Sequence, residues 1–179
     1  AGVMGEALLS GLLRAGVPTS ELLIADRRLE RSAQVTQKHG VTNGTNQDVA
    51  AKAQTVVLVV KPQDMAIVLA EIRDSLKPST LVVSLAAGIT TAFIENLLPP
   101  GTPVIRVMPN TPALVDEGMA AINSGSHCTE EHMQTAEKLL RSVGQVVRVP
   151  EKYQDAVTAI SGSGPAYIFY AVEAMIEGG

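Results

Sequence analysis

Two glycines at the start of the chain are the residues whose spacing points most directly to chemistry. In Ala1-Gly-Val-Met-Gly5, Gly2 and Gly5 fit the second and third glycines of a G-x-G-x-x-G turn, with the first expected immediately before Ala1. In such a turn the glycine at position 2 lets the backbone approach a pyrophosphate. The helix that follows offers unpaired N–H groups and a partial positive charge, and Gly5 lets that helix pack close to a sheet. Asp26-Arg27-Arg28 ends the short apolar run Leu22-Leu-Ile-Ala25, about 20 residues on, where a dinucleotide unit meets the adenosine ribose. An acid there accepts hydrogen bonds from a ribose 2′-hydroxyl, and an adjacent arginine can clamp a 2′-phosphate. With both types present, Arg27 favours NADP and leaves NAD open.

Three further stretches carry reactive or hydrogen-bonding side chains. Val104-Ile-Arg106-Val-Met-Pro109-Asn-Thr-Pro112 reads as a strand delivering Arg106 into a stiff loop with two hydrogen-bonding side chains, although a plain turn also uses Asn and Pro. Ser161-Gly-Ser-Gly164 before Pro165 reads as a close backbone crossing ahead of a helix whose first residue is Pro165, with a flexible connector as the bland alternative. A hydrolase elbow is excluded, because the residue two before Ser163 is Ser161 rather than Gly. Cys128 and His132, with His127 alongside, stand at metal-like spacing but have no second ligand pair, so no metal is expected.

The elements that must position these residues alternate between helix and strand. Ala1 to Gly16 forms an amphipathic helix, Leu29 to His39 a second helix stopped by Gly40, and Asn46 is a candidate cap for a short third helix. Thr55-Val-Val-Leu-Val-Val60 and Thr80-Leu-Val-Val-Ser84 are continuous apolar runs, the signature of strands buried on both faces of a parallel sheet. Each is followed by a helix, Asp64 to Ser75 and Thr90 to Leu98. Gly118 to Asn123 and Gln145 to Val149 read as strands flanking a helix capped by Thr129. Ligands bind off the carboxyl ends of strands in such sheets, so Lys61-Pro62 and the small residues Ala86-Ala-Gly88 should face a cofactor.

The 179 residues suffice for one full domain and the start of another, with the boundary near Pro150-Glu151. The resulting division is a Rossmann-type α/β domain over residues 1–150, a doubly wound parallel sheet lacking its first strand, and the start of a helical domain over 151–179. Hydrophobic residues make up 46% and aromatics only 3%, so the core is aliphatic, as in a parallel sheet covered by helices. A net charge of −4 argues against a nucleic-acid grip or an anionic membrane surface. No apolar run approaches the roughly 18 residues that span a bilayer. A single cysteine rules out an intrachain disulfide and favours a reducing, cytoplasmic setting. Because the chain opens inside a glycine motif, its N-terminus reads as a cut.

The ordered combination of the glycine turn, Val60-Lys-Pro62, Ala86-Ala-Gly88, Arg106-Val-Met-Pro-Asn-Thr-Pro112 and Asp155-Ala-Val-Thr-Ala-Ile-Ser-Gly-Ser-Gly-Pro-Ala-Tyr167 resembles the pyrroline-5-carboxylate reductase family over the whole length. The resemblance implies hydride transfer from NADPH, or NADH, to the C=N carbon of 1-pyrroline-5-carboxylate, giving L-proline in the last step of proline biosynthesis. It implies that Gly2, Val3, Met4 and Gly5 cover the pyrophosphate, that Arg27 and Asn46 reach the adenosine ribose or its 2′-phosphate, and that Val59, Val60, Lys61 and Pro62 with Ala86, Ala87 and Gly88 line the nicotinamide side. It places Glu151 at the substrate pocket and makes Pro165 to Gly179 the start of a helix exchanged in a homodimer or larger homo-oligomer. The family's Ser-Pro-Gly-Gly-Thr loop, which holds the substrate carboxylate, falls beyond residue 179, and no residue in hand is assigned as the catalytic acid. A hydroxy-acid dehydrogenase of similar architecture ranks lower, since no lysine follows Lys152 in the next helix. A non-catalytic dinucleotide-binding protein is the remaining alternative.

Overall fold

The structure, a computed structural model, describes residues 2–179. The first half of the expected pattern appears as α1 (Val3–Arg14), β1 (Leu23–Ile24), α2 (Leu29–His39), β2 (Thr42–Asn43) and α3 (Asn46–Lys52). It continues with β3 (Thr55–Leu58), α4 (Met65–Ile72), β4 (Leu81–Ser84), α5 (Thr91–Leu97) and β5 (Val104–Met108). Then come β6 (Gly118–Ser124), α6 (Glu130–Leu140), β7 (Gly144–Arg148), α7 (Gln154–Val157), one π turn (Thr158–Gly162) and α8 (Gly164–Gly178). Ala1 lies outside the described residues.

The strands form a parallel pair β1-β2 and a five-stranded sheet in the order β3-β4-β5-β6-β7. Pairing is parallel across β3-β4-β5 and β6-β7, and antiparallel between β5 and β6. The one antiparallel pair departs from the all-parallel expectation. Its cause is the connection: Pro109 to Glu117 holds only a short 3₁₀ turn, Thr111–Val115, and without a crossover helix the chain returns antiparallel.

Helices cover both faces of the sheet, as a doubly wound domain requires. On one face Val56, Leu58, Val82 and Val104 pack on Ala50 of α3, Met65, Leu69 and Ile72 of α4, and Ile94 of α5. On the other, Leu81, Val83, Ile105, Val107 and Ile122 meet Met133, Ala136 and Leu140 of α6. The period-two alternation of Leu81 and Val83 against Val82 sends successive side chains to opposite faces, so β4 is buried throughout. The strand at the edge, β3, differs from expectation. It ends at Leu58 rather than Val60 and alternates between buried and half-buried, and among the described residues it pairs with β4 alone.

Local signals set the helix ends. Gly40 closes α2 in the left-handed region at φ 67°. Thr129 caps α6, with His132 returning a hydrogen bond to the Thr129 amide. The cap of α3 is Thr45, not Asn46: the Thr45 hydroxyl accepts from the Asp48 amide and Asp48 answers to the Thr45 amide at 2.9 Å. Asn46 is instead the first helical residue, which frees its amide for a partner elsewhere.

Candidate functional site

The parallel register brings three strand ends to one edge. Leu58 of β3 pairs with Ser84 of β4, and Ser84 with Arg106 of β5. The segments that leave those ends, Val59 to Pro62, Leu85 to Gly88 and Pro109-Asn110, therefore line up side by side. The glycine turn joins this edge, for a Cβ built on Gly5 would lie 3.7 Å from the Val59 Cβ. That is ordinary van der Waals contact, so an alanine would also fit beside Val59.

Gly2 is the more informative glycine. It starts α1 in extended backbone, its carbonyl accepts from the Glu6 amide at 2.9 Å, and no side chain caps the helix. The first-turn N–H groups of this 12-residue helix are thus left without a side-chain cap. Among the described residues nothing lies within 4 Å of a Cβ placed on Gly2. Gly88, at φ 74°, faces similar open space. Uncapped amides beside an open cradle fit a pyrophosphate, which brings the negative charge that a helix N-terminus favours.

On the adenosine side Asp26 Oδ1 accepts from the Arg28 amide at 2.9 Å, which folds the acid onto its own turn. Arg27 projects outward, its side chain 79% exposed, with Nη1 3.3 Å from Asp64 Oδ2. Asn46 donates through Nδ2 to Glu71 Oε2 at 2.6 Å. The structure thus gathers Gly2 to Gly5, Val59 to Pro62 and Ala86 to Gly88 along one edge, with Arg27 and Asn46 tied to the segment that leaves β3.

Glu151 sits against Thr91 at the N-terminus of α5, and Thr91 is three residues of chain past Gly88. Its oxygens accept from the Thr91 amide at 2.9 Å and the Thr91 hydroxyl at 2.8 Å, and from Arg106 Nη1 at 3.3 Å. Burial pushes the Glu151 carboxyl up, but the Thr91 donors and the Arg106 guanidinium outweigh it and hold the group below its ordinary range. Arg106 is itself buried and reaches a second carboxylate, Asp155 Oδ1, at 3.2 Å. Arg106 thereby ties the start of the C-terminal helices to β5, and Glu151 ties it to the start of α5.

A second tie runs through Asn110, which accepts from the Met119 amide at 2.8 Å and donates to Ser161 Oγ at 3.3 Å. Ser161 belongs to the π turn, and a Cβ on Gly162 would collide with the Met108 side chain. The tight spot in this run is thus Gly162 against the tip of the Met108 side chain rather than another backbone, whereas Gly164 has open space and begins α8 one residue before Pro165. Short π segments inside helices recur at functional sites. Gln154, wholly buried, donates to the Ala121 carbonyl and to Asn123 Oδ1, fastening α7 to β6.

Cys128 and His132 have structural partners. The thiol donates to the Val104 carbonyl, burial pushes its pKa up, and the imidazole belongs to the α6 cap. Among the described residues no group of three or more His, Cys, Asp or Glu is placed to hold a metal, and no helix is long and apolar enough to cross a membrane.

Sequence reasoning missed Glu6, which follows the glycine turn and is wrapped by α2. His39 Nε2 lies 3.0 Å away, Lys38 Nζ donates at 2.9 Å and Arg31 completes the cluster. The His39 and Lys38 contacts, then Arg31, override burial and lower the Glu6 pKa from 4.5 to about 2. A carboxyl lowered on folding stabilises the native state above its unfolded pKa and loses that contribution as pH falls through the folded value. Glu6→Gln is therefore expected to cost about 2 kcal/mol at neutral pH, after allowance for screening, and almost nothing near pH 2. Chemical denaturation of both proteins at the two pH values checks the sign.

The fold and site define a Rossmann-type dinucleotide-binding protein with a helical segment appended. The chain is 42% identical to pyrroline-5-carboxylate reductase of Corynebacterium melassecola, covering 99% of this chain and 67% of that one. It belongs to the pyrroline-5-carboxylate reductase family. The Mycobacterium tuberculosis relative is also 42% identical, and the chain spans 62% of its length. Among solved structures, a pyrroline-5-carboxylate reductase from Coxiella burnetii superposes with a TM-score of 0.91 at 35% identity, covering 99% of this chain and 67% of that chain. The Plasmodium falciparum pyrroline carboxylate reductase with NADP bound gives 0.87 at 28% identity, covering 99% and 65%. Residues 1–88 match the family model for NADP oxidoreductase, coenzyme F420-dependent, and residues 151–179 the model for pyrroline-5-carboxylate reductase dimerisation. Prephenate dehydrogenase from Aquifex aeolicus, at 14% identity and a TM-score of 0.75, shares the fold alone.

Proposed function

We propose that this protein reduces 1-pyrroline-5-carboxylate to L-proline with NADPH, or NADH, as the hydride donor. The observation that carries the reading is the uncapped N-terminus of α1 with its open Gly2, set at the aligned ends of β3, β4 and β5. Family membership and the NADP-bound relative support it.

In this reading the Gly2 to Gly5 backbone binds the pyrophosphate, while Arg27 and Asn46 take the adenosine ribose or its 2′-phosphate. Val59 to Pro62 and Ala86 to Gly88 hold the nicotinamide, which when bound supplies the hydride. The acceptor is already an imine, so the chain's main task is orientation: hydride and acceptor must be held in near-attack geometry, and one proton must reach the nitrogen. Glu151 serves as a positioning residue, fixing the Ala86–Gly88 segment through Thr91 and the C-terminal helices through Arg106. The domains divide near Pro150, where Arg106 and Asn110 bridge the two parts.

The partner is a second copy of the chain. Along α8 Tyr167, Phe169, Tyr170, Met175 and Ile176 are all exposed, an apolar surface too extensive for a helix that faces water. The dimerisation model matches this segment, and a cytoplasmic homo-oligomer is the proposed state.

Arg27→Ala is expected to weaken NADPH binding at least tenfold, the usual scale for losing a charge-assisted phosphate contact, and to leave NADH nearly unchanged. Titration with each dinucleotide measures this, and equal losses for both would remove Arg27 from the 2′-phosphate. The activity itself is tested by adding 1-pyrroline-5-carboxylate to the full-length protein with each reduced cofactor. Cofactor oxidation with proline as product is the expected result. Cofactor binding with no proline formed would contradict the assignment.

A further inference from the structure

The 3₁₀ turn after β3 and the helix α4 that follows it present acids to Arg27 and Asn46. Asp64 closes the 3₁₀ turn Pro62–Asp64 and stands at the N-cap position of α4, yet its side chain caps nothing there. Its carboxylate reaches Arg27 at 3.3 Å. Glu71 is seven residues further on, two helical turns away on the same face of α4, and it holds the Asn46 amide. The two groups assigned to the adenosine ribose thus already have acidic partners, lined along one helix edge.

Resting on the cofactor reading above, we propose that Asp64 is a specificity-determining residue: it competes with the ribose 2′-phosphate for Arg27 and so limits the preference for NADP(H) over NAD(H). A 2′-phosphate brings close to two negative charges to a guanidinium whose neighbour is already an anion. A ribose 2′-hydroxyl brings none. The Asp64 side chain is 29% exposed, so its charge is only partly screened, whereas the Arg27 side chain at 79% exposure is free to swing toward either anion. Asp64 opposes NADPH and is indifferent to NADH.

The experiment measures Kd for NADPH and NADH with the wild-type protein, Asp64→Asn and Asp64→Asn/Arg27→Ala, at low and high salt, with circular dichroism to confirm folding. Asp64→Asn is expected to tighten NADPH binding by about 3- to 10-fold, as for removal of a like charge that shares Arg27 with the phosphate. NADH should change less than twofold, and the gain for NADPH should shrink at high salt and in the double variant. Weaker NADPH binding by Asp64→Asn would overturn the proposal by making the acid a support for Arg27. A shift of both cofactors together would also overturn it. If the wild-type protein binds neither dinucleotide, the cofactor reading fails and this inference falls with it. Binding of both with no effect of Asp64→Asn refutes the inference alone.

Discussion

Gly2→Val is expected to abolish dinucleotide binding, by at least a hundredfold, while leaving thermal stability almost unchanged. The two halves of this expectation have separate causes. Gly2 has φ −72°, which any residue adopts, and among the described residues nothing lies within 4 Å of an added Cβ, so the backbone there accepts a side chain without strain. The same open space is where a pyrophosphate must come against the first-turn amides of α1, and a branched side chain would hold it away from them. A charge-assisted hydrogen bond contributes about 1.5–3 kcal/mol, and the loss of two accounts for the hundredfold effect. Calorimetric titration together with a melting curve separates binding from folding. A lowered melting temperature would mean that Gly2 serves the fold, and undiminished binding would place the phosphates elsewhere.

Arg106→Ala should act in the opposite way, chiefly on stability. Arg106 is 4% exposed, and its guanidinium is shared between Glu151 and Asp155. Removing one partner of a buried ion pair strands the other and is strongly destabilising. Here Asp155 is largely exposed and Glu151 keeps its Thr91 donors, so the expected loss is about 2–4 kcal/mol rather than more. For a chain of this size that lowers Tm by roughly 5–15 °C. Arg106→Lys keeps the charge but cannot fork to two carboxylates, and should fall between. Chemical and thermal unfolding measure the series. A change in Tm below about 2 °C for Arg106→Ala would show that the clamp contributes nothing net.

Much of the architecture was legible because it is written in local signals. The capping Thr129, the stop at Gly40 and the Val-rich β4 each announce an element through its own residues. The same reasoning overran β3, since Thr55 to Val60 is apolar throughout and nothing in the run marks Leu58 as the last paired residue. It also gave the α3 cap to Asn46 when Thr45 holds it, two acceptable cap residues standing side by side.

The site divides along the same line. Glycine spacing disclosed the open turn at the start of α1, and Arg106 stood out as a charge inside an apolar strand. What joins these parts is long-range: Glu151 to Thr91 spans 60 residues of chain, Asn110 to Ser161 spans 51, and Arg27 to Asp64 spans 37. No periodicity or spacing encodes such contacts. Glu151 shows the consequence, for the resemblance that placed it at the substrate pocket gave no sign of its contacts with Thr91 and Arg106.

The measurement that tests the account most directly is a map of backbone amide shifts on titrating the protein with NADPH. The account predicts saturable shifts at Gly2 to Gly5, Arg27, Asn46, Val59 to Lys61 and Ala86 to Gly88, the residues gathered at the ends of β1 to β4. Saturable shifts confined to another surface, such as the Glu130–Arg148 face of α6 and β7, would contradict it, as would no shift at saturating cofactor.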